Sequence, residues 1–129
     1  MAMKFTENRK KIYDLIYKSE KPLSAEQIHA KLKPELNLST VYRGIEYLQS
    51  EDLIRSVSFG SVIKYFFSTN SHKHFLYCQQ CHQIIVFDDC AADQLQKTVK
   101  KNFNFRINDH VFYFVGICEK CQEKRGDFK

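Results

Sequence analysis

Apolar residues recur at helical spacing through the first part of the chain: Ile12, Leu15 and Ile16, then Ile28 and Leu32, then Val41, Ile45 and Leu48. Each set falls on one face of a helix, so three short amphipathic helices are predicted. Thr6 can cap the first. Ser24-Ala25-Glu26-Gln27 has the form of a capping box at the head of the second, which Pro34 ends. The third begins near Ser39 and sets Arg43 almost opposite its apolar face. Leu53-Ile54 and residues 56 to 63 then predict two short strands turning at Gly60. Helices followed by a hairpin outline a winged helix-turn-helix.

From Ser71 onward the pattern changes, because all five cysteines and four of the five histidines lie beyond it. Ser68-Thr69-Asn70-Ser71 is the expected hinge, dividing a first domain over residues 1–69 from a second over 70–129. In the second domain, strands are predicted near residues 75–77, 84–87, 105–107 and 111–117, with a helix over about 91–103. Val111-Phe112-Tyr113-Phe114-Val115 does not alternate, so this strand calls for cover on both faces, and a second subunit could supply part of it. The expected class is α+β, a winged helix followed by a small α/β dimerisation domain.

The 129 residues make one ordinary domain or two small ones, each too small to bury a generous core, so a metal staple or a dimer interface would be useful. The 20 Lys and Arg against 15 Asp and Glu give +5, which suits an acidic partner but is common without one. The N-terminal residues have no apolar segment like that of a secretory signal, and no apolar run approaches a membrane span. A cytoplasmic protein is expected, and in a reducing cytosol paired CxxC motifs are more often metal or redox centres than disulfides.

Cys78-Gln79-Gln80-Cys81 and Cys118-Glu119-Lys120-Cys121 are two such motifs. Each can fold as a tight knuckle that aims both sulfurs at one point, and two knuckles complete the tetrahedron of a closed zinc site. The first follows the predicted strand ending at Tyr77 and the second the one ending at Ile117, so pairing these strands would bring the four thiolates together. A thioredoxin-like centre instead needs one CxxC at a helix N-terminus. A zinc ion with four protein ligands has no open position for water, which argues against hydrolytic chemistry. No nucleophile-base pair or phosphate-cradling glycine loop is present, and an enzyme is not expected.

Ser39-Thr40-Val41-Tyr42-Arg43 divides as a DNA-reading helix would. Val41 packs inward with Ile45 and Leu48. Ser39, Thr40, Tyr42 and Arg43 stay near the exposed N-terminal turns, where Arg43 could reach a guanine edge or a phosphate, Tyr42 a thymine methyl, and the hydroxyls a phosphate. Arg9, with Lys10 and Lys11, could add backbone contacts. On helix pattern alone, an ordinary polar surface explains these residues equally well.

The elements stand in a telling order: Thr6-x-x-Arg9, Leu23-Ser24-Ala25-Glu26, Ser39-Thr40-Val41-Tyr42-Arg43, His72-x-His74, CxxC, His110, Gly116-Ile117-Cys118-x-x-Cys121. This order resembles the ferric uptake regulator family of metal-dependent repressors over nearly the whole chain. The resemblance implies a cytoplasmic homodimer that binds a double-stranded operator in a metal-dependent way. It also implies a second metal site beside the cysteine clamp, on His72, His74, Asp93 and His110. Three imidazoles and a carboxylate accept Zn²⁺, Fe²⁺, Mn²⁺ or Co²⁺ without choosing among them.

The sequence departs from the family at the site that in many relatives bridges the two domains. Its positions here map to Lys21, Phe66, Lys73, Phe75 and Val86, none of them a suitable ligand. Either that site is lost, or a one-residue shift lets His72 and His74 serve it. His82 stands where relatives usually have glycine after the first CxxC, and Gly44 leaves the reading helix one side chain short. Cys90 could be a buried small residue, an extra ligand or an oxidisable thiol. The expectation is therefore a metal-responsive repressor of metal-homeostasis genes. A DNA-binding dimer that keeps zinc only for folding, and a peroxide sensor, are the alternatives.

Overall fold

A computed structural model describes residues 6–70, 72–88, 92–107 and 110–125 of the chain. Its contacts divide it into two units that part between His72 and Lys73. Among the described residues, no helix is long and apolar enough to cross a membrane. The expectations for Cys90 fall outside the described residues.

The first unit is three helices and a three-stranded sheet. Helix α1 (Glu7–Lys18) starts where the Thr6 side chain accepts the Arg9 backbone N–H, 3.2 Å away. Helix α2 (Ala25–Leu32) starts with a complete capping box: Ser24 Oγ accepts from the Gln27 N–H, and Gln27 Oε1 accepts from the Ser24 N–H. Helix α3 (Leu38–Ser50) is capped by Asn37, whose side-chain oxygen takes the Thr40 N–H at 2.8 Å. It therefore begins one residue earlier than the sequence suggests.

The wing also differs from expectation. Its strands are β2 (Ile54–Val57) and β3 (Tyr65–Ser68), and residues 58–64 form the tip, with Gly60 at φ +78°. Tyr65-Phe66-Phe67-Ser68 takes the central place because it pairs on both sides, with β2 and with the short β1 (Leu23–Ser24). Val62 and Ile63, read from sequence as strand residues, are solvent-exposed at the tip.

Ile12, Ile16, Ile28, Val41, Ile45, Leu48, Ile54 and Phe66 form the buried core. Gly44 belongs to it rather than to the outer face of α3: it is buried, and a Cβ there would run into Ile12 Cδ1. Ile12 is itself fully buried and has little room to withdraw. Gly44→Val should therefore destabilise the first unit by about 1–3 kcal/mol, the usual range for overpacking, read as a lower denaturant midpoint.

In the second unit, β4 (His74–Cys78) lies between β5 (Ile84–Phe87), its antiparallel partner, and β6 (Tyr113–Gly116), which runs parallel to it. Helix α4 (Ala92–Phe103) connects the two outer strands in sequence, and α5 (Glu119–Arg125) follows β6. Residues 105–107, expected as a strand, have no regular secondary structure. Phe105 lies on the surface.

Among the described residues, the single chain does not supply the expected double cover of the last strand. Tyr113, Phe114 and Val115 are 37%, 59% and 46% exposed, and no side chain of α4 is classed as buried among the described residues. Leu76 and Ile85 on the neighbouring strands are also exposed.

Candidate metal centres and DNA-reading face

The first candidate centre follows from strand pairing. The β4–β6 register sets Cys78 opposite Gly116, and the Gln79 N–H donates to the Gly116 carbonyl at 2.8 Å. The two CxxC segments therefore leave adjacent strands at the same end. The first turns back through a bond from the His82 N–H to the Cys78 carbonyl at 2.9 Å. His82 closes this turn at φ +64°, a conformation that favours glycine, and its ring Nδ1 lies 2.7 Å from the Tyr77 hydroxyl.

The second CxxC is not at a simple strand end. Cys118 precedes α5 and Cys121 lies inside it, with the Gln122 N–H closing the turn on the Cys118 carbonyl. One CxxC thus does begin a helix, as a dithiol centre would. All four sulfurs nevertheless lie within 4.8 Å of one another, and Cys81 Sγ and Cys118 Sγ are 3.7 Å apart. A tetrahedron with Zn–S bonds of about 2.3 Å has sulfur–sulfur edges of about 3.8 Å. The four sulfurs are gathered closely enough to suit a zinc ion.

Its protonation is uneven. Backbone N–H groups of Cys81 and Cys118, each 3.4 Å from Cys78 Sγ, hold that thiol down to about 5. Burial pushes Cys121 up to about 12, helped by hydrogen bonds that its S–H donates to the neighbouring sulfurs. Cys78 is the ready thiolate, and Cys121 gives up its proton last.

The second centre brings together His72, His74 and His110, whose ring nitrogens also lie within 4.8 Å of one another. His72 is exposed on the segment leading into β4, and His74 is buried within that strand. The His74 ring stacks on Phe112 at 3.8 Å between centroids and lies 5.3 Å from the His110 ring. Stacking on Phe112 therefore holds the His74 imidazole. Asp93 is not in this group; it is exposed in the first turn of α4. Gln96, one turn further along α4, instead places its side-chain oxygen against His110 Nδ1. The sequence reading missed Gln96, although its place three residues after Asp93 puts it on the same helical face.

At the positions of the bridging site, the side chains are apolar or basic. Phe66 is buried in the core of the first unit and Phe75 fully buried in the second, so packing occupies both positions.

On the first unit, Ser39, Tyr42 and Arg43 are exposed along the N-terminal half of α3 and Thr40 is half-buried, while Val41, Ile45 and Leu48 are buried behind them. Ser39 Oγ donates to the Asn37 side chain at 2.9 Å. The Tyr42 hydroxyl donates to Glu26 at 2.8 Å, and that carboxylate holds the phenol above its ordinary range. The partners are 16 residues apart, so local spacing does not reveal the pair. The Arg9 guanidinium lies over the ring of Tyr47 of α3, 3.7 Å from the centroid.

Comparison with known proteins agrees with this architecture. The profile of the Ferric uptake regulator family matches residues 1–115. The ferric uptake regulation protein of Campylobacter jejuni subsp. jejuni serotype O:2 is 27% identical over 134 aligned positions, covering 99% of this chain and 85% of that protein. The Bacillus subtilis protein of the same name is 30% identical over 117 positions, covering 85% and 78%. The crystal structure of the Vibrio cholerae ferric uptake regulator superposes with a TM-score of 0.73 at 29% identity, over 90% of this chain and 92% of that one.

Proposed function

The chain belongs to the ferric uptake regulator family, and on that footing we propose that it is a dimeric repressor whose grip on DNA depends on a second, exchangeable divalent ion. The observation that carries the reading is the gathering of His72, His74 and His110 beside a complete set of four cysteines. Cys78, Cys81, Cys118 and Cys121 would hold a structural zinc. The three histidines would hold Zn²⁺ or Fe²⁺, with Mn²⁺ a weaker fit to imidazole donors, and Asp93 is near enough in sequence to join from α4.

An ion on His72, His74 and His110 would pin the chain entering β4 to the end of the segment preceding β6. It promotes DNA binding only by binding the DNA-competent arrangement more tightly than the other. In that arrangement Arg43, Tyr42, Ser39 and Thr40 of α3 would enter the major groove, with Arg9 at the phosphate backbone. The exposed apolar surface of β6, with Leu76 and Ile85, would be covered by a second copy of the chain, presenting two reading helices to an operator. We assign no catalytic activity to it and expect it in the cytoplasm.

The test starts from duplexes selected out of a random pool by the zinc-loaded protein. Affinity for them should fall at least tenfold when the second ion is withdrawn while the cysteine-bound zinc stays. His110→Ala should bind at the weakened level with or without added Zn²⁺ or Fe²⁺. An unchanged metal response in His110→Ala would overturn the site assignment. The position of Asp93 outside the histidine group favours a second reading, in which zinc serves folding alone. One zinc per subunit under every condition, with full DNA binding, would establish that reading instead.

A further inference from the structure

We propose that Gln96 is the positioning residue of the histidine site, fixing the tautomer of His110 and thereby the ring nitrogen offered to the ion. The inference rests on reading the three histidines as the exchangeable metal site. The Gln96 side-chain oxygen lies against His110 Nδ1. An amide oxygen can only accept, so Nδ1 carries the proton and Nε2 keeps the lone pair that can coordinate. A histidine ligand commonly donates its second N–H to an oxygen in this way, and losing that oxygen typically costs 10–100-fold in metal affinity.

The geometry singles out Gln96 over its neighbours. His74 is held by the Phe112 ring within a strand, but His110 lies outside regular structure and cannot be oriented by a strand's pleat. Gln96 is half-buried and Asp93 exposed on α4; both border a cleft with Lys97, Lys100 and Arg106, but it is the Gln96 oxygen that lies against His110 Nδ1. The acceptor on His110 is therefore a neutral amide. A carboxylate there would accept the same N–H while making the imidazole a stronger donor.

The experiment uses the full chain with zinc in its cysteine site. Ring nitrogen NMR at mildly alkaline pH should find His110 in the Nδ1–H form before any second ion is added, and Gln96→Leu should lose that preference. By calorimetry, Gln96→Leu should bind a second Zn²⁺ about 10–100-fold more weakly. Gln96→Glu, which keeps the acceptor, should bind it no more weakly than the unaltered protein. Should the leucine variant fail to retain its cysteine-bound zinc, Gln96→Ala takes its place.

His110 in the Nε2–H form in the unaltered protein, or Gln96→Leu binding Zn²⁺ as tightly as it does, would overturn the role of Gln96 and leave the site intact. An unaltered protein that takes up no second ion would overturn the site, and this inference with it. The NMR result separates the two failures.

Discussion

Cys78→Ser should abolish zinc binding and unfold the second unit. Structural zinc contributes about 10–16 kcal/mol of apparent free energy in small metal-folded domains, comparable to or above the whole stability of a domain of ordinary size. The second unit has little with which to replace it. Its small sheet leaves Leu76, Ile85, Tyr113, Phe114 and Val115 exposed in the single chain, and α4 buries no side chain among the described residues. Cys78 is also the sulfur on which the Cys81 and Cys118 backbone N–H groups converge, so its loss opens both knuckles. Metal analysis should find no zinc in the variant. Circular dichroism should show the first unit's helices retained, and a variant that keeps zinc and cooperative unfolding would refute the staple.

The same site sets a pH dependence. A thiol lowered in the fold, as Cys78 is, stabilises above its ordinary value near 9.0, and that contribution is lost as pH falls toward about 5. Cys121 runs the other way: its raised value favours the protonated fold below about 9.0, a contribution lost as pH rises toward about 12. Zinc held on all four thiolates would have to expel the Cys121 proton, so zinc affinity should fall steadily as the solution is acidified.

Phe114→Glu should convert the proposed dimer to monomers and weaken binding to the selected duplexes by about 10²–10⁴-fold, the avidity lost when two linked reading helices act singly. Phe114 is 59% exposed between two other exposed side chains of β6, a strand at the edge of its sheet. A carboxylate there costs the isolated chain little, because the position faces solvent. In a dimer the same carboxylate would be desolvated against apolar surface. Sedimentation should therefore find a monomer that retains its zinc and its thermal stability as a folded chain. A variant that remains dimeric would place the interface elsewhere.

Local patterns carried much of this protein. The apolar faces of the three helices, the Thr6 cap and the Ser24–Gln27 capping box are where short-range spacing put them, because periodicity and capping involve residues only a few positions apart. The paired CxxC motifs signalled a metal centre by ligand type and spacing alone. The order of motifs identified the family, and the profile match over residues 1–115 agrees.

What spacing did not reveal involved residues distant in sequence or competing for one partner. Residues 56–63 alternate well enough to suggest a hairpin, yet β3 wins the central place because Leu23 and Ser24, more than 40 positions earlier, offer it a second edge. Gly44 reads from spacing as a gap in a reading surface, but Ile12 of α1 occupies the space its side chain would need. Asp93 and Gln96 share a helical face, and which of them meets His110 depends on how α4 lies against a segment 14 residues beyond Gln96. Ligand chemistry and helix faces are properties of neighbours along the chain. Packing clearances and hydrogen-bond partners are properties of neighbours in space, and only folding brings those together.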